Sequence, residues 1–363
     1  MKSSQIKPIA FYLPQFHPIP ENDEWWGKGF TEWTNVTKAK PLFKGHWQPR
    51  LPSDLGFYDL RVEESRIAQA EMAKEYGVYG FAYWHYWFGN GKQILERPLQ
   101  EVVSTGKPDF PFCLAWANQT WSGTWHGLSN KKVLIEQLYP GEEDYRAHFF
   151  KILPILKDKR YIQINGKCLF MIFRVHEIPD LNSFTSLWQI LALENGLPGF
   201  HFTAIHDDDD ELINKGINAF IQKQPERHLL GRRKSISEKI ILKFKHTFKS
   251  PQKKEIDKID YQSYVEKFPH CKLKDNEYPM IFTDWDNSPR SGSDGWMFVN
   301  STPELFSKVV RKAINVIKQQ SQNEDKVLII KSWNEWAEGN YLEPDRVNGR
   351  KYLEALKNEL IDN

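Results

Sequence analysis

VLIIKSWNEWAEGNYLEPD, residues 327–345, joins two stretches of opposite character. Val327 to Ile330 is an uninterrupted apolar run rich in β-branched side chains, which suits a strand covered on both faces. Directly beyond it stand Trp333, Asn334, Trp336 and the carboxylates Glu335, Glu338 and Glu343. Polar and aromatic residues gathered at the C-terminal end of a buried strand are the pattern of α/β folds, whose binding loops lie on that side of the sheet.

The pattern repeats along the chain. Short apolar runs predict strands near Ile9–Leu13, Val78–Trp84, Phe112–Ala117, Leu169–Phe173, His201–Ile205, Ala219–Gln222, Met280–Thr283 and Val327–Lys331. Amphipathic spacing predicts helices near Glu63–Glu75, Ile94–Thr105, Glu143–Leu156, Ser183–Glu194, Ile256–Lys267, Pro303–Gln319 and Tyr352–Leu360. Alternation of this kind gives an α/β chain with a parallel sheet, and eight candidate strands point to a closed (β/α)8 TIM barrel with elaborated loops. A doubly wound open sheet is the alternative. The expected unit is a single catalytic domain over residues 1–363, with a basic insertion around 227–255. Within that insertion, Arg232 to Lys254 holds nine Lys or Arg and one acid, Glu238. Ile236, Ile240, Ile241, Phe244 and Phe248 recur there at helical spacing, as in a helix lying on an anionic membrane or a packed helix with a basic outer face.

Composition narrows the function. The formal net charge of +2 over 363 residues gives no reason to expect a nucleic-acid partner, while 14 Trp, 14 Tyr and 23 Phe make the chain rich in rings. Many of the indoles sit beside Gly, Asn, Glu and His, as they would in a cleft for sugar rings. Cys113, Cys168 and Cys271 are odd in number and far apart, which suits a reducing compartment. The opening MKSSQIKPIAFYLPQFHP lacks the apolar core of a secretory signal, and no run approaches a membrane span, so a cytoplasmic location is expected. No cofactor or metal motif is present; the acid run Asp207–Asp210 reads as a solvated loop.

Glu335 and Glu338 stand three apart, so one helical turn would place both carboxyls on the same side. Two carboxyls that close repel when both are ionised, and one keeps its proton to higher pH. An acid beside a base is what glycosidic cleavage needs. Trp333, Asn334 and Trp336 would wall the pair, with Glu343 behind it. Elsewhere Glu32 and Trp33 are candidates to face substrate. Alternation along the second strand favours Trp84 and Tyr86. Trp116, Asn118, Gln119 and Trp121 form an amide and indole set suited to hydroxyls and ring faces. Trp285 and Asp286 close the seventh strand, where Asp286 and Arg290 could form an ion pair.

Six stretches carry a resemblance: FYLPQFHPIPENDEWWGKGFTEWTNV, QPRLPSDLGFYDLR, GVYGFAYWHYWF, LAWANQTWS, DWDNSPR and SWNEWAEGNYLEPD. In this order they resemble the WbsX-like family, described as glycosyltransferases of surface polysaccharide synthesis and similar to glycoside hydrolase family 99. The resemblance runs from about Ile9 to Tyr352 and is weakest over Lys215–Glu277. It implies a (β/α)8 barrel acting on α-mannosides with retention and without an enzymic nucleophile. It implies that Glu335 assists the sugar's 2-hydroxyl, that Glu338 is the acid/base, and that Tyr12, Gln15 and His17 floor the cleft. The family 99 motif resembles Asn-Glu-Trp-His-Glu; Ala337 stands at its fourth position here, without the ring.

Three functions stay open on this reading. One is a retaining glycosidase or transglycosylase acting on a surface polysaccharide of O-antigen or capsule type. The second is a glycosyltransferase of lipopolysaccharide or polysaccharide biosynthesis. The third is a glycan-binding barrel without chemistry. The expected partner is an oligo- or polysaccharide, with peripheral contact to the inner membrane or a lipid-linked glycan.

Overall fold

A computed structural model of the chain describes residues 6–123, 133–206, 209–226, 255–269, 272–320 and 325–362. The basic run 232–254, Cys271, and Asp207 and Asp208 lie outside the described residues.

Nine parallel strands form the sheet: β1 (Ile6–Tyr12), β2 (Gly80–Trp87), β3 (Phe112–Trp116), β4 (Lys167–Ile172), β5 (Phe200–Ala204), β6 (Ala219–Ile221), β7 (Glu277–Tyr278), β8 (Met280–Phe282) and β9 (Lys326–Lys331). Hydrogen bonding runs in the order β7-β6-β5-β4-β3-β2-β1-β9-β8. β7 and β8 are consecutive, separated only by Pro279. Proline has no N–H to give a ladder, so it splits one stave into two halves. β7 pairs with β6 and β8 pairs with β9, and through this stave the ring closes as an eight-stave (β/α)8 barrel. Each predicted strand overlaps a stave; the half-stave β7 was not among them.

The staves are apolar because both of their faces are covered. β3 is buried at every position, and β9 is buried from Val327 to Ile330. Helices pack outside. The helix Pro303–Gln319 starts where Thr302 Oγ1 accepts the Leu305 N–H at 3.2 Å, with Pro303 in the first turn. Phe306, Val309, Val310, Ala313, Ile314 and Ile317 form its buried stripe. Each large apolar side chain there contributes about 1.5–3 kcal/mol on burial. The neighbouring helix Lys351–Asp362 is tied to it by Arg311 and Glu359 at 2.8 Å.

The helix expected over Ile94–Thr105 begins at Arg97, with Ile94 in a short strand against Tyr86, and a second element differs more. Instead of a helix over Ile256–Lys267, Asp257–Asp260 is a strand paired in parallel with Trp296–Val299. The helix Tyr261–Lys267 begins only after Asp260, whose side chain accepts the Gln262 N–H. An aspartate cap stops a helix from extending backwards, and Ile259 is the buried residue of an otherwise exposed strand. Among the described residues, no helix is long and apolar enough to cross a membrane.

Candidate active site

Past Lys331 the chain folds back on itself at once. Ser332 Oγ accepts the Glu335 N–H at 2.8 Å and donates to the Asn340 carbonyl at 2.7 Å. Asn334–Glu335 pairs antiparallel with Asn340–Tyr341. Between them lie a single 3-10 turn, Trp336–Glu338, and Gly339 at φ +69°. A Cβ at position 339 would stand 2.8 Å from the Asp286 nitrogen, so glycine is required. The Asn334 amide locks the loop to the end of β1, accepting the Leu13 N–H at 2.7 Å and donating to the Leu13 carbonyl. The expected helical turn is therefore a tighter device. Glu335 has non-helical backbone (φ −82°, ψ 68°), and the turn begins one residue later.

The two carboxyls still meet, in hydrogen-bond contact with each other. Their surroundings drive them apart in acidity. Burial, then the negative charge of Glu338, pushes Glu335 up to about 8. Burial also acts to raise Glu338, but Arg290 and Lys331 outweigh it and hold Glu338 below the usual carboxylate range. Arg290 Nη1 lies 2.6 Å from Glu338 Oε1, while its Nε and Nη2 reach Glu32 Oε1 at 2.9 and 2.6 Å. Trp84 donates from Nε1 to Glu335 Oε1 at 2.7 Å and stacks on Phe11. The pair thus holds one proton on the Glu335 side, with the charge on Glu338.

A cleft of about 380 Å³ opens over this pair, within the range of small-ligand sites. Of the expected residues, Gln15, Trp84, Tyr86, Trp121, Trp285, Glu335 and Glu338 line it. So do Gln119, expected beside Trp121, and Phe173, Glu226, Arg290 and Lys331. All follow or end staves, on the face where barrel enzymes keep their chemistry. Arg290 and Lys331 are the residues that sequence reasoning placed poorly. Lys331 ends β9 and reads as a strand's polar terminus. Arg290 was paired with Asp286, yet Asp286 meets His46 at 2.9 Å and Gln48 at 2.6 Å instead. Burial acts to raise Asp286, but these bonds and Arg50 hold it well below the usual carboxylate range.

The remaining expected residues take packing or supporting places. Tyr12 is buried and donates to Gln69 at 2.7 Å. His17 is buried with Nδ1 2.9 Å from the Pro14 carbonyl. Trp33 donates to the Tyr58 carbonyl at 2.9 Å, beneath the first loop. Trp116 faces the helices, donating to the Trp87 carbonyl and packing on His148 and Phe184. Asn118 is buried and holds Tyr139 and the Arg174 backbone. Trp333 and Asp286 are fully buried. Glu32 sits behind Arg290 rather than in the opening. Glu343 lies under the loop, where Trp336 Nε1, Gln69 Nε2 and Tyr58 OH donate to it at 2.6, 2.6 and 2.8 Å. Burial pushes it up to about 7 against those bonds. Alternation accounts for the stave residues: Trp84 and Tyr86 share one parity of β2 and line the cleft, whereas Tyr12 and Trp116 align with Tyr83 and His85 of the other parity. Among the described residues, no group of three or more His, Cys, Asp or Glu is arranged to hold a metal ion.

Comparison with known proteins assigns the class. A (β/α)8 barrel of this kind is shared with a glycoside hydrolase-like protein at a TM-score of 0.61 and 14% identity, covering 99% of this chain and 95% of that one. It is shared too with the GH99 endo-alpha-mannosidase from Bacteroides thetaiotaomicron at a TM-score of 0.55 and 15% identity, covering 100% and 98%. These likenesses show the fold. Residues 8–356 match the family described as Glycosyltransferase WbsX, and the chain belongs to that family. It is also 33% identical over 354 residues to the WxcX proteins of two strains of Xanthomonas campestris pv. campestris, covering 97% of this chain. The chain spans about half (49%) of the length of those relatives.

Proposed function

We propose that this chain breaks or transfers glycosidic bonds of a surface polysaccharide, with retention, using Glu335 and Glu338. The observation that supports it best is the carboxyl pair itself: two acids in contact, holding one proton between them, on the floor of an aromatic cleft. Burying a close carboxylate pair is costly and serves no packing purpose.

The chemistry follows from moving that proton across one hydrogen bond. With the proton on Glu338, Glu335 is a carboxylate able to take the proton of the bound sugar's 2-hydroxyl. The freed oxygen attacks C1 as the bond from C1 to the leaving oxygen breaks, and Glu338 protonates that oxygen. The result is a 1,2-anhydro sugar. Water, or an acceptor hydroxyl, then adds at C1 and gives its proton to Glu338, while Glu335 returns the proton to O2. Two inversions leave the configuration retained. Arg290 steadies Glu338 whenever it is ionised, and the Trp84 N–H steadies Glu335. Mannose is the candidate sugar, since a fold neighbour is an endo-alpha-mannosidase.

Transfer to an acceptor is the second reading, favoured by the family's description as glycosyltransferases. It uses the same groups with an acceptor hydroxyl in place of water. The deciding experiment incubates the protein with α-mannan fragments and, in parallel, with nucleotide sugars and a glycan acceptor, and follows chain length and anomeric configuration. Shortening with retention supports hydrolysis; extension supports transfer. Activity undiminished in a Glu335→Gln, Glu338→Gln double variant would overturn both.

A further inference from the structure

Three cations gather on two rings at one side of the cleft. Lys331 Nζ lies 4.6 Å from the centre of the Trp285 ring. Arg174 and Lys223 stand 4.8 and 5.0 Å from the centre of the Phe173 ring. Trp285, Phe173 and Lys331 line the cleft directly. The three charges feel one another: burial lowers the proton affinity of Lys223, Arg174 and Lys331 lower it further, and Glu226 opposes them. Lys331 stays charged, because Glu226 and then Glu338 act on it from a distance and outweigh its burial.

The carboxylates nearby answer the cations only loosely. Glu226 lies 3.9 Å from Lys223 and Glu177 lies 3.8 Å from Arg174. Both distances exceed a hydrogen bond. Among the described residues, no carboxylate lies within ion-pair distance of Lys331, and the buried Nε of Arg174 has no hydrogen-bond partner. Arg290 shows the contrast, gripped by Glu32 and Glu338 at 2.6 Å each. Three cations share a half-buried wall, none in hydrogen-bond contact with a carboxylate, and the buried Arg174 Nε lacks an acceptor. A neutral glycan, offering hydroxyls alone, leaves their mutual repulsion in place. A carboxylate or phosphate, accepting several charge-assisted hydrogen bonds at once, relieves it.

We infer that the glycan bound in this cleft carries an acidic group, a carboxylate or a phosphate, seated between Lys331 on Trp285 and the Arg174 and Lys223 pair on Phe173. The inference rests on the carbohydrate reading of the site and names the substrate class within it. It assigns Lys331 a part in specificity for charge, in addition to its electrostatic hold on Glu338.

The test compares matched probes. In one arm, oligosaccharides from a uronate-containing capsular polysaccharide are set against the same mixture after chemical reduction of its carboxyls. In the other, phosphodiester-bearing mannan oligosaccharides are set against the dephosphorylated material. Affinity is read by titration calorimetry for wild type, Lys331→Gln and Lys331→Arg, with melting curves to confirm folding. The readout is the ratio of acidic to neutral affinity, so a general loss of binding cancels. Wild type should favour the acidic member of at least one arm by about 10–100-fold, the range for hydrogen bonds to charged groups. Lys331→Gln should bring that ratio close to one, and Lys331→Arg should keep most of it. The arm that shows the preference identifies the anion. Equal affinity of wild type for both members of both arms overturns the inference while leaving the carbohydrate reading intact. So does a preference that Lys331→Gln leaves unchanged. Failure to bind any of these glycans, charged or neutral, counts against the carbohydrate reading itself, and the inference falls with it.

Discussion

Replacing Glu335 by glutamine should make the protein more stable at pH 8, although it removes a residue proposed for the chemistry. Burial and the charge of Glu338 raise Glu335 from its ordinary 4.5 to about 8. Below pH 4.5 the carboxyl is protonated whether the chain is folded or not, and nothing is lost. Between 4.5 and 8 the unfolded chain gives up a proton that the folded chain retains, so stability falls as pH rises. Each pH unit in that window costs about 1.4 kcal/mol, and the loss by pH 8 approaches roughly 5 kcal/mol. Glutamine fits the same space, can accept the Trp84 N–H in place of Glu335 Oε1, and can donate to Glu338. It carries no proton to lose. A chain of this length moves its melting midpoint by roughly 1–1.5 °C per kcal/mol, so Glu335→Gln should melt about 5–7 °C above wild type at pH 8. The two should converge near pH 4.5. Glu343, pushed up to about 7, and Asp284, pushed up by burial to about 6, give slopes of the same sign, but both remain in the variant. The difference between the two melting curves, followed by tryptophan fluorescence from pH 4.5 to 8, therefore isolates Glu335. A difference independent of pH, or a variant less stable than wild type at pH 8, would refute the reasoning.

Three further outcomes follow from the geometry. Glu338→Gln should keep the fold and lose about 10²–10⁴-fold in turnover of any glycan substrate, the usual worth of a general acid, as measured by initial rates. Gly339→Ala should cost about 2–4 kcal/mol in urea melts, because a left-handed backbone and a Cβ 2.8 Å from the Asp286 nitrogen act together. Trp116→Phe should lower stability by about 1–3 kcal/mol through the orphaned Trp87 carbonyl while leaving the Michaelis constant unchanged, since Trp116 packs against the helices rather than the cleft.

The staves were legible because each is a short apolar run closed by chemistry. The helix Pro303–Gln319 was legible to the residue because proline, a threonine cap and a regular stripe all agree. Glu277–Tyr278 escaped because Pro279 cuts its stave to two residues, too few to show a period. The site was half legible. Alternation fixes that Trp84 and Tyr86 share a face, and both line the cleft. It does not fix which face of the third stave looks inward, and Trp116 looks outward. Nor can spacing name charge partners. Arg290 and Glu32 stand 258 positions apart, and only the closed barrel brings them together.

The stave divided at Pro279 bears on how this barrel accommodates change. β6 holds to each neighbour through just two residue pairs, while β1 and β9 share five. The ring is therefore most lightly laced along the arc from β5 to β8. The chain leaves β6 and returns to β7 in this arc, and the described residues between them are 222–226, 255–269 and 272–276. Rearranging the chain there disturbs few shared hydrogen bonds, whereas the same insertion beside β9 would break one of the denser pairings and the loop that carries both glutamates. A scaffold built this way can lengthen or exchange one flank while the geometry across the ring stays fixed.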